Sequence, residues 1–517
     1  MGFTTLEYIS FFAAVFFGYY ALPNRFRWIL LLAASWFFYA WASPVCLIFL
    51  AVTVLATYIF ALLIDRNLIQ QKQWIKENGK SVDRDAKKAY KATMEKKRKL
   101  CVLGASIVLI GMLGVFKYSN LVLSTLSIPM TLSIILPIGL SFYIFQSLGY
   151  VIDVEREVAS AEKNLFKHAL FVSYFPQILQ GPIGVYDRLA PQFFGEHKFD
   201  YNEAVFGIQR VAWGFFKKLM IANIIADRIN PTWNSIGDYP GFICWAAILF
   251  LYAIQLYADF SGYMDIACGC SQMLGIKLDE NFKSPYFSKT IAEFWRNWHI
   301  TLGEWFKNYV FYPILRANWM QNLRKRFKSS AYLANAVPTT IALLIVWFLI
   351  GLWHGADWSY VVYGLFHGSF VILAALLSSQ YDRLHSRFPR FFDSKAYVGF
   401  QMLRTFAIVC LGYAFFKPAD LGKTAAIFSQ MFSVLDGGGA MKLWNQLHAT
   451  FAMRSLAIVV MLLVDVVHYN SPDGTIRQWI HNRPVIVRYA IYIIGSVVTL
   501  FTGLYGAAFE NFEYFKF

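Results

Sequence analysis

The chain is a succession of long apolar runs with its charges crowded into the gaps between them. A membrane-crossing helix needs about 20 mostly apolar residues. Runs of that kind lie at 6–22, 28–42, 45–64, 101–117, 131–151, 204–226, 241–259, 334–352, 357–378, 397–416, 452–469 and 486–507. In lipid every backbone polar group must be satisfied inside the segment, which is what a helix does. The pattern therefore predicts an all-α, polytopic transmembrane helical bundle of about eleven spans. The stretches 165–182 and 262–276 are apolar but short or interrupted by Gly and Pro, and they read as re-entrant or half-depth helices. The whole of 1–517 reads as a single membrane-embedded domain with a basic cytoplasmic insert at about 65–99.

Composition excludes the other broad classes. Hydrophobic residues make up 57% and charged residues 15%, against roughly 25% charged in soluble domains. A soluble globule could not hide that much apolar surface, and a disordered chain would not carry it. The net charge of +16 would suggest nucleic acid in a soluble protein. Here it sits between spans, where the tendency of Lys and Arg to stay on the cytoplasmic side explains it, so no nucleic-acid partner is expected. Segment 65–99 holds twelve Lys/Arg against five Asp/Glu and should be cytoplasmic, as should 315–328, 383–395 and 477–488. Segment 418–450, with few charges and Gly437-Gly438-Gly439, should face outward. Counting spans from these loops puts both termini outside the cytoplasm. The N-terminus has no basic region or cleavage site of a secretory signal, so the first run is expected to stay as a membrane helix. The six cysteines mostly lie inside apolar runs and read as small buried hydrophobes. Cys268-Gly269-Cys270 has no nearby His to complete a set of ligands, and no metal site is expected.

Chemistry has few places to reside. His354 lies in Gly351-Leu352-Trp353-His354-Gly355-Ala356-Asp357, between two apolar runs and toward the outer side. An imidazole at membrane depth is costly, and it titrates near neutrality, so it can take a hydroxyl proton as a general base. The alternative is a hydrogen-bonded His joining helices. His367, thirteen residues on and among glycines and aromatics, reads as packing; on one helix it would stand about 20 Å from His354. His299, in Phe294-Trp295-Arg296-Asn297-Trp298-His299-Ile300-Thr301, belongs to an amphipathic stretch at the cytoplasmic interface. His168 reads as an unremarkable element-end residue. Two further clusters set polar groups among apolar ones: Asp259-Phe260-Ser261 and Gln177-Ile178-Leu179-Gln180. Either can satisfy helix ends or basic side chains, or line a polar path.

Taken together the motifs are familiar. Phe294 to Leu302 followed by Gly351-Leu352-Trp353-His354-Gly355-Ala356 resembles the paired signature of membrane-bound O-acyltransferases. The nearest branch is the bacterial one that includes an alginate O-acetyltransferase membrane subunit and a D-alanyl transfer membrane protein. Phe116-Lys117-Tyr118, Leu136 to Tyr143, Phe175 to Pro182, Asp259 to Tyr263, Asn281 to Tyr286 and the tail Tyr514-Phe515-Lys516-Phe517 match that branch in order.

The resemblance implies helices enclosing a tunnel, with an acyl thioester such as acetyl-CoA arriving from the cytoplasm and no bound cofactor. It implies catalytic roles for His354 and His299. Trp298, Asn297, Trp353, Asp259, Ser261, Gln177 and Gln180 become candidate tunnel residues. The implied acceptor is a hydroxyl of an extracytoplasmic polysaccharide or cell-wall glycan, with a secreted or membrane-anchored serine-hydrolase-like acetyltransferase as partner. Transfer of D-alanine from a carrier protein to teichoic acid is the alternative. A transporter would be expected to show inverted repeats, which the sequence does not display.

Overall fold

A computed structural model describes residues 1–79, 81–132, 137–433, 438–448, 451–471 and 476–506. The tail motif 514–517, together with Leu136 and Gly437, lies outside the described residues. Every regular element among the described residues is a helix. Six helices are long and apolar enough to cross a bilayer: Leu47–Asn78, Arg84–Thr125, Phe242–Met273, Ala331–His354, Trp358–Leu376 and Lys395–Phe416. Four further expected runs form the helices Leu6–Ala21, Asn24–Ala42, Phe451–Asn470 and Val485–Gly506. The chain gathers into two compact units, Met1–Ile208 with Ala267–Asp279 and Gln209–Ile266 with Glu280–Phe517.

In the first unit the basic insert is a helical hairpin made by the ends of two spanning helices. Leu47–Asn78 has 32 residues, about 48 Å of helix, so it overshoots a 30 Å hydrocarbon layer by several turns. The Asp83 carboxylate caps the return helix by accepting from the backbone N–H of Ala86 at 2.8 Å. Trp74 stacks on Tyr90 at 3.9 Å between centroids, and Arg98 donates to Gln71 at 2.7 Å and to Asn67 at 3.2 Å. The expected span at 131–151 is instead the helix Leu140–Glu155. Pro137 has no backbone N–H and cannot stand inside such a helix. Gly139 then takes a left-handed conformation (φ 74°), where a Cβ would lie 2.3 Å from the Ile178 carbonyl. The stretch 165–182 is a short buried helix, Leu165–Ser173, followed by turns. His168 is fully buried there and hydrogen-bonds Thr57 at 2.8 Å, which corrects its reading as an unremarkable end residue.

The expected break near Gly262, in the second unit, does not occur, and one helix runs from Phe242 to Met273. Gly262 serves close approach, not a turn: a Cβ there would sit 3.0 Å from the carbonyl oxygen of Gly214, and one on Gly214 would sit 2.5 Å from that of Gly262. The helix Tyr201–Phe216 continues through a π-helical turn, Lys217–Ala222, into Asn223–Ile229.

Candidate active site

The helices Ala331–His354 and Trp358–Leu376 form an antiparallel hairpin whose faces touch through glycine. A Cβ on Gly364 would lie 2.4 Å from the Trp347 carbonyl oxygen, and one on Gly351 would lie 2.5 Å from that of Tyr360. Small residues in this spacing let membrane helices approach backbone to backbone. The hairpin closes in three residues, and the last of these, Asp357, caps the return helix by accepting from Ser359 N–H at 2.8 Å. His354 is the final residue of the outgoing helix, so the tight turn fixes its position. Its ring is 2% exposed and meets Trp353 at 5.0 Å, Phe416 at 5.2 Å and Tyr363 at 5.6 Å between centroids.

A second segment brings His299 to the same place. His299 separates the helices Ile291–Asn297 and Ile300–Phe306 and has φ 48° and ψ 53°. A left-handed conformation costs a non-glycine residue roughly 1–3 kcal/mol, and it persists only where the surroundings over-determine it. Here Asn281 does so. Its side-chain oxygen accepts from the Thr301 backbone N–H at 3.0 Å and the Thr301 hydroxyl at 2.8 Å, and it lies 3.4 Å from His299 Nδ1. Its carbonyl accepts from Ile300 N–H at 3.1 Å. The His299 ring is 1% exposed and stands edge-on to Phe260 at 4.9 Å and to Trp353 at 5.5 Å. Burial pushes its imidazole down to about 3, which keeps it neutral at physiological pH. His299 and His354, 55 positions apart in sequence, thus flank the ring of Trp353.

The remaining expected residues divide into three groups. Asn297 and Trp298 stand behind His299. The Asn297 amide donates to Ser288 at 3.1 Å, and Trp298 is buried against Phe282 at 5.0 Å. Asp259 and Ser261 hold two lysines. Lys218 pairs with Asp259 at 2.7 Å, and Lys217 donates to Ser261 at 2.8 Å while pairing with Asp265 at 2.5 Å. Arg210 joins Asp265 at 3.0 Å to Glu280 at 2.5 Å. Gln177 and Gln180 belong to the first unit. Gln177 donates to Gln146 at 2.9 Å, and Gln146 donates to the Phe171 carbonyl at 2.5 Å. Gln180 is buried, and among the described residues its amide has no hydrogen-bond partner.

Sequence reasoning noted Asn281 and Phe260 only as members of motifs and passed over Tyr363 and Phe416; the first two meet His299 and the last two His354. It also passed over Lys217 and Lys218, although two adjacent lysines inside an apolar run were a visible signal. The π-helical turn that begins at Lys217 accommodates both of them on the face that meets Asp259, Ser261 and Asp265. Such turns insert one extra residue into a helix and recur at functional sites.

Residues 154–416 match the family model described as MBOAT, membrane-bound O-acyltransferase family. That range contains His299 and His354 and leaves the basic hairpin outside. The chain is 33% identical over 459 residues to the probable alginate O-acetylase AlgI of Pseudomonas syringae pv. tomato, covering 84% of this chain and 76% of that one. It is 29% identical over 464 residues to the peptidoglycan O-acetyltransferase of Helicobacter pylori, covering 83% and 79%. The teichoic acid D-alanyltransferase of Bacillus subtilis is 26% identical over 284 residues, covering 54% and 68%.

Proposed function

We infer the reaction from one premise: the chain belongs to the membrane-bound O-acyltransferase family. It is a multi-pass membrane enzyme that transfers an acyl group to a hydroxyl. The group we assign is acetyl, delivered by acetyl-CoA or another acyl thioester from the cytoplasmic side. The acceptor is a hydroxyl of an extracytoplasmic polysaccharide or cell-wall glycan, reached directly or through the serine of a secreted or membrane-anchored serine-hydrolase-like partner. Likeness to the alginate and peptidoglycan O-acetylases over more than four fifths of the chain supports acetyl. D-alanyl transfer is the second reading, supported by likeness over 54%. The basic hairpin 65–99 supports an inner-membrane location with that hairpin cytoplasmic and both termini outside.

One observation carries the mechanism: a buried histidine held at the closed end of a glycine-packed hairpin, beside a ring it shares with a second buried histidine. His354 takes the proton of the attacking hydroxyl as its oxygen bonds to the acyl carbon. The carbon–sulfur bond then breaks, and His354 returns the proton to the leaving thiolate, so protons balance over the cycle. Neutral His299, braced by Asn281, positions the arriving thioester across Trp353. Asn297 and Trp298 support that wall, and Asp259 and Ser261 act from behind it through the two lysines.

The test is acetyl incorporation into glycan, normalised to folded protein in detergent. His354→Ala and His354→Gln should melt like the wild type and lose transfer by about 10²–10⁴ fold. Gln keeps hydrogen bonding but cannot cycle a proton, so His354→Gln activity within tenfold of wild type would refute the base assignment.

A further inference from the structure

Charge alone makes 383–395 a cytoplasmic loop between two spanning helices. The structure builds helix there instead. Ser378–Arg387 begins one residue after Trp358–Leu376 ends, and the short turn Pro389–Phe392 leads on to Lys395–Phe416. Tyr381 and His385 touch the Phe392 ring at 5.4 and 5.7 Å, but no residue of Ser378–Arg387 is buried. A helix of ten residues is too short to hold itself in water, so another surface has to stabilise it.

The side chains show what that surface is made of. Leu377, Tyr381, Leu384 and Phe388 recur at helical spacing, which sets them within an arc of about 60°. They are 53%, 41%, 50% and 52% exposed, and Phe391 on the following turn extends the row at 60%. Asp382, Arg383 and Ser386 lie on the other side of the helix. Arg383, Arg387 and Arg390 are exposed, and among the described residues none of them pairs with a carboxylate. Arg387 lies over the Phe388 ring at 5.6 Å, its stem along the apolar row and its charge beyond it.

Two observations place the row at the membrane boundary and not out in water. Trp358–Leu376 has 19 residues, about 28 Å of helix against about 30 Å of hydrocarbon, so the chain reaches the boundary as Ser378–Arg387 begins. The segment then folds back on the return helix. The Tyr381 hydroxyl accepts from the Gln401 amide at 3.2 Å, and Phe391 and Phe392 meet the Tyr397 ring at 4.9 and 5.0 Å. Beside Gln401, Phe400 and Leu403 are 55% and 67% exposed on the outside of that same spanning helix. The row is thus continuous with a surface that lipid covers.

We propose that 377–392 is an in-plane anchor whose ligand is the phospholipid bilayer. Its apolar row inserts between the acyl chains at the boundary, and Arg383, Arg387 and Arg390 bind the lipid phosphates above them. Helices with this division of apolar and basic faces lie in the interface plane, and the guanidinium fork matches phosphate geometry.

Nitroxide labels on the full-length, cysteine-free protein in nanodiscs of phosphatidylcholine with phosphatidylglycerol test this. Leu384→Cys and Phe388→Cys carry the label on the row, Ser386→Cys opposite it, and Asp85→Cys on the basic hairpin in water. All four positions are exposed, so the variants should melt with the wild type. Power saturation compares collisions with oxygen, which dissolves among acyl chains, and with a water-soluble nickel chelate. The oxygen-to-nickel ratio at 384 and 388 should exceed that at 85 by about fivefold or more, with 386 close to 85. Replacing Arg383, Arg387 and Arg390 together with Gln should lower the ratio at 384 and 388 by about twofold or more. Ratios at 384 and 388 equal to that at 85 would overturn the anchor, and ratios unmoved by the triple variant would overturn the phosphate contacts. Spin–spin broadening at 384 that disappears on dilution with unlabelled protein would assign the row to a second copy, and would also overturn the proposal. The readout needs no acyl donor, so its failure leaves the acyl-transfer reading untouched.

Discussion

Lys218 and Asp259 offer a sharp test of how charge is carried inside this fold. They pair at 2.7 Å with side chains only 3% and 2% exposed, so solvent screening does not discount the interaction. Removing one partner of such a pair strands the other in a low-dielectric interior and costs about 3–5 kcal/mol, whereas replacing both with apolar residues of similar volume is close to neutral. Lys218→Met and Asp259→Leu should therefore each destabilise the protein by about 3–5 kcal/mol, and the double variant should recover most of either loss. Arg188 and Asp279 provide the control. They pair at 2.9 Å but are 49% and 27% exposed, and breaking that pair should cost about 0–1 kcal/mol. Reversible unfolding in mixed detergent, read by tryptophan fluorescence, measures all five proteins. Acyl transfer by the double variant should stay near the wild-type rate, because the pair braces the wall and does not touch the acyl group. A single variant costing less than about 1 kcal/mol, or a double variant costing the sum of the singles, would refute the reasoning.

At residue 299, Asn tolerates the left-handed backbone better than Ala, so His299→Asn should be more stable than His299→Ala by about 1 kcal/mol, while both lose turnover. His299 stays neutral when folded down to about pH 3 but protonates near 6.5 when unfolded. The unfolded chain therefore binds more protons below 6.5, and stability falls as pH drops through that window. His299→Asn should flatten the melting-temperature profile between about pH 6.5 and 5. Gly364→Ala places a methyl 2.4 Å from the Trp347 carbonyl oxygen, which must open the hairpin. It should cost about 1–3 kcal/mol and, by displacing His354, cut turnover on the order of tenfold or more, while Gly399→Ala, with open space at its Cβ, should be neutral or mildly stabilising. In a cysteine-free background, Asp85→Cys should be shielded from an impermeant thiol reagent in intact cells and Met441→Cys should react; labelling of both would refute the orientation.

The apolar runs were readable because lipid imposes length and self-satisfied backbone on each segment independently of the rest. Ala331–His354 and Lys395–Phe416 fall within three residues of the runs that announced them. The hairpin at 65–99 was legible for the same reason, as charge marks where the hydrocarbon ends. Gly262 misled because a glycine's local meaning is a break, whereas its role here is the close approach of Gly214, a contact between segments far apart in sequence. Of the site, the two histidines announced themselves by cost and motif. Their joint seat on Trp353, the Asn281 brace and the buried, unpaired nitrogens of His367 among the described residues could not be read. Each depends on which side chains meet after folding.

The backbone of His299 also bears on how the position can drift over generations. Beside glycine, the residue types that best tolerate a left-handed conformation are Asn, Asp and His. In the genetic code these three share the pattern of any base, then A, then a pyrimidine, apart from that first base. A histidine codon at 299 therefore reaches Asn or Asp by a single change at the first base. Tyr, reached from the same codon by the remaining first-base change, is bulkier and strained there. The turn thus acts as a filter on mutation: the cheapest changes its geometry accepts are those that keep a small polar group facing Trp353, so a lineage can exchange imidazole for amide or carboxylate there without first refolding the segment.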